Sequence, residues 1–146
     1  MSPPALLDSS VLIPLFDVAH VHHDIAHDWL ADNRGRGWAT SPLTENALLR
    51  ICSNPKYGSN SERVPALAAR LRAFCDAPDH QFWANSLSLC DGTLFDLSLA
   101  PHHLLTDIYL LAVAKTNGGV LATFDRTIPL GAVRGATRDL LEVISG

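Results

Sequence analysis

Two stretches of this chain are apolar almost without interruption. One is Ala5-Leu6-Leu7 before Asp8, and the other is Val120-Leu121-Ala122-Thr123-Phe124 before Asp125. Runs without polar alternation predict strands covered on both faces, as in a parallel sheet. Residues 5–8 and 120–123 are therefore read as buried strands. Shorter patterns predict further strands at 38–40, at 81–83 on an edge, and at 140–144. Between them the period changes to that of a helix. A short helix follows from Ser10, and residues 22–32 carry Ile25, Trp29 and Leu30 on one face. Ser41-Pro42 opens a helix that Asn54-Pro55 ends. In 61–76, Val64, Leu67, Leu71 and Phe74 recur at helical spacing, with Ser61 as the expected N-cap. Thr106 is expected to cap a helix over 107–116, and Asn117-Gly118-Gly119 supplies a left-handed stop. Residues 84–105 are the least legible, because Asn85, Asp91, Gly92 and Pro101 break every period.

Alternation of strand and helix on this scale predicts an α/β fold. It is a three-layer sandwich with a central, mainly parallel sheet flanked by helices. No linker or repeat divides the chain, so residues 1–146 are read as one domain.

The chemistry is concentrated in four acids. Asp8 and Asp125 each follow a strand; Glu45 and Asp107 fall in the first turns of helices. In an open parallel sheet, ligands bind beyond the carboxyl ends of the strands. Carboxylates at the edge of buried elements are costly unless a cation meets them. Four such acids point to a metal. Each also has a plainer reading: Asp8 as a helix cap, Asp107 as a first-turn acid, Glu45 as part of a capping box, and Asp125 as a turn residue.

Composition narrows the alternatives. Of 146 residues, 47% are hydrophobic and 18% charged, which supplies a core and argues against disorder. No apolar run approaches the roughly 18–20 residues of a membrane span, and no basic segment precedes the first apolar stretch. Three widely spaced cysteines, Cys52, Cys75 and Cys90, fit reduced thiols and a cytoplasmic setting. The net charge of −4 disfavours a general nucleic-acid binder, and the basic residues form no stripe. That sign matters less if several acids surround a metal. His23 and His27 have the spacing of a zinc pair, but no third ligand is evident. With His20 and His22 they are read as solvated residues at a helix start. Trp29, Trp38 and Trp83 are read as core or interface residues.

Four segments together carry a family resemblance. They are Leu7-Asp8-Ser9-Ser10-Val11-Leu12-Ile13, then Ser41-Pro42-Leu43-Thr44-Glu45-Asn46 with Arg50 and Ser53-Asn54-Pro55 behind it. Next come Leu105-Thr106-Asp107-Ile108-Tyr109-Leu110-Leu111-Ala112 and Gly118-Gly119-Val120-Leu121-Ala122-Thr123-Phe124-Asp125-Arg126. In this order the chain resembles a PIN-domain ribonuclease, most closely a VapC-type toxin of a bacterial toxin–antitoxin pair. The resemblance implies a Mg²⁺- or Mn²⁺-dependent endonuclease that cuts single-stranded regions of structured RNA. It further implies a homodimer and a cognate antitoxin whose tail blocks the site.

On this reading Asp8, Glu45, Asp107 and Asp125 hold the metal. Ser10 and Thr123 fix a carboxylate or a metal-bound water, Arg126 meets the RNA backbone, and Asn46 helps position it. Two alternatives stay open. A metal-dependent phosphatase or phosphotransferase would need a second Asp two residues after Asp8, where Ser10 stands. A catalytically inactive nucleic-acid- or protein-binding module would not need the acids at all.

Overall fold

The computed structural model describes residues 2–145. Its centre is a five-stranded sheet of β1 (Ala5–Leu7), β2 (Trp38–Thr40), β3 (His80–Phe82), β4 (Val120–Thr123) and β5 (Leu141–Val143). The strand order is β3-β2-β1-β4-β5, and every pairing is parallel. Five α-helices cover it: α1 (Ser9–Phe16), α2 (His23–Asn33), α3 (Pro42–Cys52), α4 (Val64–Phe74) and α5 (Leu105–Thr116).

The uninterrupted apolar runs follow from two separate cores. Successive strand side chains point to opposite faces. Leu6, Ala39 and Leu121 therefore pack with Ile108, Leu111 and the rest of α5 on one face. Ala5, Leu7, Trp38 and Ala122 pack with Leu12, Leu48 and Leu67 of α1, α3 and α4 on the other. Neither face of β1 meets water, so neither can carry polar residues. Trp38 is fully buried and Trp83 nearly so.

Several boundaries differ from the sequence expectation. Helix α4 starts at Val64, with Arg63 as N-cap and Pro65 in its first turn, so Ser61 lies outside it. Helix α5 starts at Leu105, capped by Leu104, which places Thr106 inside the first turn. The stretch illegible in sequence is irregular, with a single antiparallel bridge between Phe95 and Val133. It is not loose: Leu87, Leu94, Phe95 and Leu97 pack onto the α5 core. Gly118 adopts φ +70°, the left-handed stop expected there. Its neighbour Gly119 could not carry a side chain, since a Cβ would lie 2.5 Å from the Pro4 carbonyl oxygen and from the Trp83 ring. The edge strand β5 is fastened by Glu142, which accepts from Trp29 Nε1 and Arg36 Nη1, each at 2.9 Å. Among the described residues no helix is long and apolar enough to cross a membrane.

Candidate functional site

Asp8 leaves the end of β1 in extended conformation and caps α1. Its Oδ1 accepts from Ser9 N–H at 2.8 Å. Its Oδ2 accepts from two hydroxyls, Ser10 Oγ at 2.9 Å and Thr123 Oγ1 at 2.7 Å. Its own N–H continues the ladder to the Ala122 carbonyl at 3.0 Å. The residue is only 2% exposed, so the cap it forms is a buried one.

The hydroxyls also join β4 to this point. Ser10 Oγ accepts from Phe124 N–H at 3.1 Å, and Thr123 Oγ1 accepts from Asp125 N–H at 3.0 Å. Each hydroxyl has one proton, and both protons go to Asp8. The backbone carrying Asp125 is thus set relative to Asp8 through a single intervening atom. Asp125 Oδ1 accepts from Thr127 N–H at 2.7 Å and Thr127 Oγ1 at 2.6 Å. That is the turn role expected of it, and it leaves the other carboxylate oxygen available.

Asp107 enters from the first turn of α5. Burial, the charge of Asp8, a hydrogen bond with Asp8 and the charge of Asp125 together raise its pKa from 3.8 to about 7. In the absence of metal its carboxyl group therefore holds a proton well above the usual carboxylate range and donates it to Asp8. The Arg34–Asp79, Arg36–Glu142 and Arg70–Glu62 ion pairs all lie elsewhere. Among the described residues no Lys or Arg neutralises the three aspartates. An all-oxygen donor set of excess negative charge suits a hard divalent cation.

Glu45 is committed in another direction. Its helix, α3, is capped reciprocally by Ser41 and Thr44, which leaves Glu45 out of the box. Glu45 Oε2 accepts from Thr40 Oγ1 at 2.8 Å, and that hydroxyl lies 2.7 Å from His80 Nε2. Donor atoms of Glu45, Cys75 and His80 all lie within 4.8 Å of one another, the one grouping of three among the described residues that is so close; the oxygens of Asp8, Asp107 and Asp125 do not all come that near one another. The structure thus brings Asp8, Asp107 and Asp125 to one edge of the sheet, near enough for Asp8 and Asp125 to raise the Asp107 pKa, and turns Glu45 toward Cys75 and His80. Arg126 is exposed and without an ion pair among the described residues, and Asn46 is exposed on α3.

The histidines are not simply solvated. His23 Nδ1 lies 2.7 Å from the Pro14 carbonyl oxygen and His27 Nε2 3.0 Å from that of Leu15. The one-turn pair therefore fastens α2 to the last turn of α1. His22 stacks on Phe124, with ring centroids 4.4 Å apart and planes within 10°. Beside this stack lies an open cleft of about 350 Å³, lined by Ser10, His20, His22, Phe124 and Asp125 among others.

Comparison with known families bears on this arrangement directly. The PIN-domain family matches residues 5–132. The chain belongs to the PIN-domain family. Within it, the chain is similar to ribonuclease VapC44 of Mycobacterium tuberculosis (strain H37Rv), 38% identical over 141 residues, covering 96% of this chain and 99% of that protein. Ribonuclease VapC39 of the same strain is 39% identical over 142 residues, with 96% and 99% covered. Ribonuclease VapC38 is 35% identical over 122 residues, with 83% and 84% covered. The chain is thus a VapC-type PIN protein. The match spans β1 through β4, and so includes all four acids.

Thr40, Cys75 and His80 escaped sequence reasoning. They come from the end of β2, the C-cap of α4 and the start of β3. Cys75 and His80 flank the short α4–β3 connection, and the β2–β3 pairing, with Trp38 opposite His80, brings them to Thr40.

Proposed function

We propose that this chain is a divalent-metal-dependent endoribonuclease, the toxin of a VapC-type toxin–antitoxin pair. The observation that carries this reading is the unneutralised Asp8–Asp107–Asp125 cluster at the carboxyl edge of β1 and β4. VapC relatives named as ribonucleases support it at 35–39% identity. The ion we assign is Mg²⁺, with Mn²⁺ as its substitute, since oxygen donors and octahedral preference suit both.

Asp8, Asp107 and Asp125 would hold the ion, and Glu45 would join them by a change of side-chain rotamer. When bound, the metal supplies an activated water and compensates charge developing on the phosphate. The protein's own contribution is positional. Ser10 and Thr123 hold Asp8 in one orientation, which a metal ligand needs for high affinity. The cleft between the His22–Phe124 stack and Asp125 gives single-stranded RNA a route to the acids. Arg126, exposed beside Asp125, is placed to meet a phosphate, and Asn46 is proposed to help position the strand. We also propose a homodimer, a cognate antitoxin and a cytoplasmic site of action, with VapC kinship as their support. The phosphatase alternative is disfavoured because the position two residues after Asp8, where it needs a second Asp, is Ser10.

The test is cleavage of RNA by the purified protein. EDTA should stop it and excess Mg²⁺ or Mn²⁺ restore it. Cutting that continues undiminished in EDTA would overturn the metal role.

A further inference from the structure

Cys75, His80 and Glu45 form a donor set of a different kind from the three aspartates. A thiol, an imidazole and a carboxylate favour zinc or a similar borderline ion over Mg²⁺. Cys75 and His80 flank the short α4–β3 connection, but Glu45 comes from α3, remote in sequence, so no one turn explains the three-way convergence. A second observation points the same way. Thr40 Oγ1 lies 2.8 Å from Glu45 Oε2 and 2.7 Å from His80 Nε2. The Cys75 sulfur lies 3.9 Å from the same hydroxyl. One side-chain oxygen thus stands against all three donor groups and holds them around a single point, as a partner outside the ligand set orients metal ligands.

We infer that Glu45, Cys75 and His80 bind Zn²⁺, with Thr40 orienting Glu45, and that zinc held there withdraws Glu45 from the aspartate site. Tetrahedral zinc with bonds of about 2.0–2.3 Å sets ligand separations of roughly 3.3–3.8 Å. The present separations, up to 4.8 Å, close to that by side-chain rotation. Water completes the fourth position. Binding converts the Cys75 thiol to a zinc thiolate, and its proton goes to solvent. Burial pushes the Cys75 thiol pKa up, so without metal this side chain stays a neutral thiol. The antagonism between the two metals rests on the ribonuclease reading; the zinc site itself does not.

The experiment uses the full-length, metal-free protein with Co²⁺ and Zn²⁺ as probes. Co²⁺ should produce thiolate-to-metal charge-transfer absorption at one equivalent, and Zn²⁺ should displace it. Cys75→Ser should abolish the band, and His80→Gln should weaken Zn²⁺ binding at least about 100-fold. Zn²⁺ should protect Cys75, but not the exposed Cys90, from alkylation mapped residue by residue. In the cleavage assay Zn²⁺ should inhibit the Mg²⁺-supported reaction, and Cys75→Ser should keep the basal rate while losing the inhibition. No Cys75-dependent absorption together with unchanged Cys75 alkylation would overturn the site. Inhibition that persists in Cys75→Ser would overturn the antagonism. A protein that shows the cobalt–thiolate band but cuts no RNA would retain the zinc site and lose the ribonuclease reading.

Discussion

Replacing Asp107 with asparagine removes one negative charge from the cluster and keeps its shape. The introduced amide can donate to Asp8 as the protonated Asp107 carboxyl group does. Metal-free stability should therefore rise. The Asp107 pKa is about 7 in the fold against 3.8 unfolded, a difference that bounds the effect at about 4 kcal/mol at roughly 1.4 kcal/mol per unit. Solvent screening at this partly exposed position reduces the usable figure to about 1–3 kcal/mol. Because the folded pKa is the higher one, the parent's stability from Asp107 is fully present below 3.8 and lost as pH rises through about 7, so the variant's advantage grows over that window. His20 and His80, both pushed down mainly by burial, titrate in part of the same window with the opposite sign. The quantity to read is therefore the difference between variant and parent in urea unfolding, measured in EDTA. That difference should widen by about 1–2 kcal/mol between pH 5 and pH 8, or about 2–8 °C in Tm. Saturating Mg²⁺ should reverse the ranking, since ligand at about a hundredfold over Kd contributes about 2.7 kcal/mol to the parent alone. A gap of equal size at both pH values would refute the electrostatic account of Asp107.

Other outcomes follow from the same contacts. Thr123→Val removes a donor to Asp8 Oδ2 and the acceptor for Asp125 N–H; unfolding should show a loss of about 1–3 kcal/mol, and calorimetry Mg²⁺ affinity about 10–100-fold weaker. Asp8→Asn should end RNA cleavage, and it should also lower stability by about 1–2 kcal/mol, because three donors now face a neutral amide at a helix cap. Cleavage by the unmodified protein should fall as pH drops below about 7, where Asp107 holds its proton, and higher Mg²⁺ should move the midpoint to lower pH. A midpoint independent of Mg²⁺ would separate the activity from this carboxylate.

The sheet was legible because burial on two faces leaves no polar position in β1 and only the terminal Thr123 in β4. The placement of Asp8 and Asp125 followed, since each ends such a run. The start of α4 was misread because Ser61 is a good cap in isolation, while Pro65 in the first turn moves the boundary to Arg63. Residues 84–105 were opaque for a physical reason: they pack by scattered apolar side chains, without a period. The direction of Glu45 could not be read either. It depends on Thr44 completing the capping box and on His80 arriving beside Thr40, and only the second is a long-range event. His22 was read as solvated because its partner, Phe124, is remote in sequence and reaches it only once β4 has paired with β1.

Asp8 is at once the stopper of α1, the anchor for two hydroxyls and the deepest of the acids. A cell escaping a toxin through point mutation has several ways to silence it, and this geometry makes them unequal. Survivors altered at position 107 or 125 should accumulate an intact, inert protein that can still sequester the antitoxin. Survivors altered at position 8 should contain less of it, because quality-control proteases remove a chain whose first helix has lost its foothold. The genetic record of such escapes would then report where architecture and chemistry share an atom.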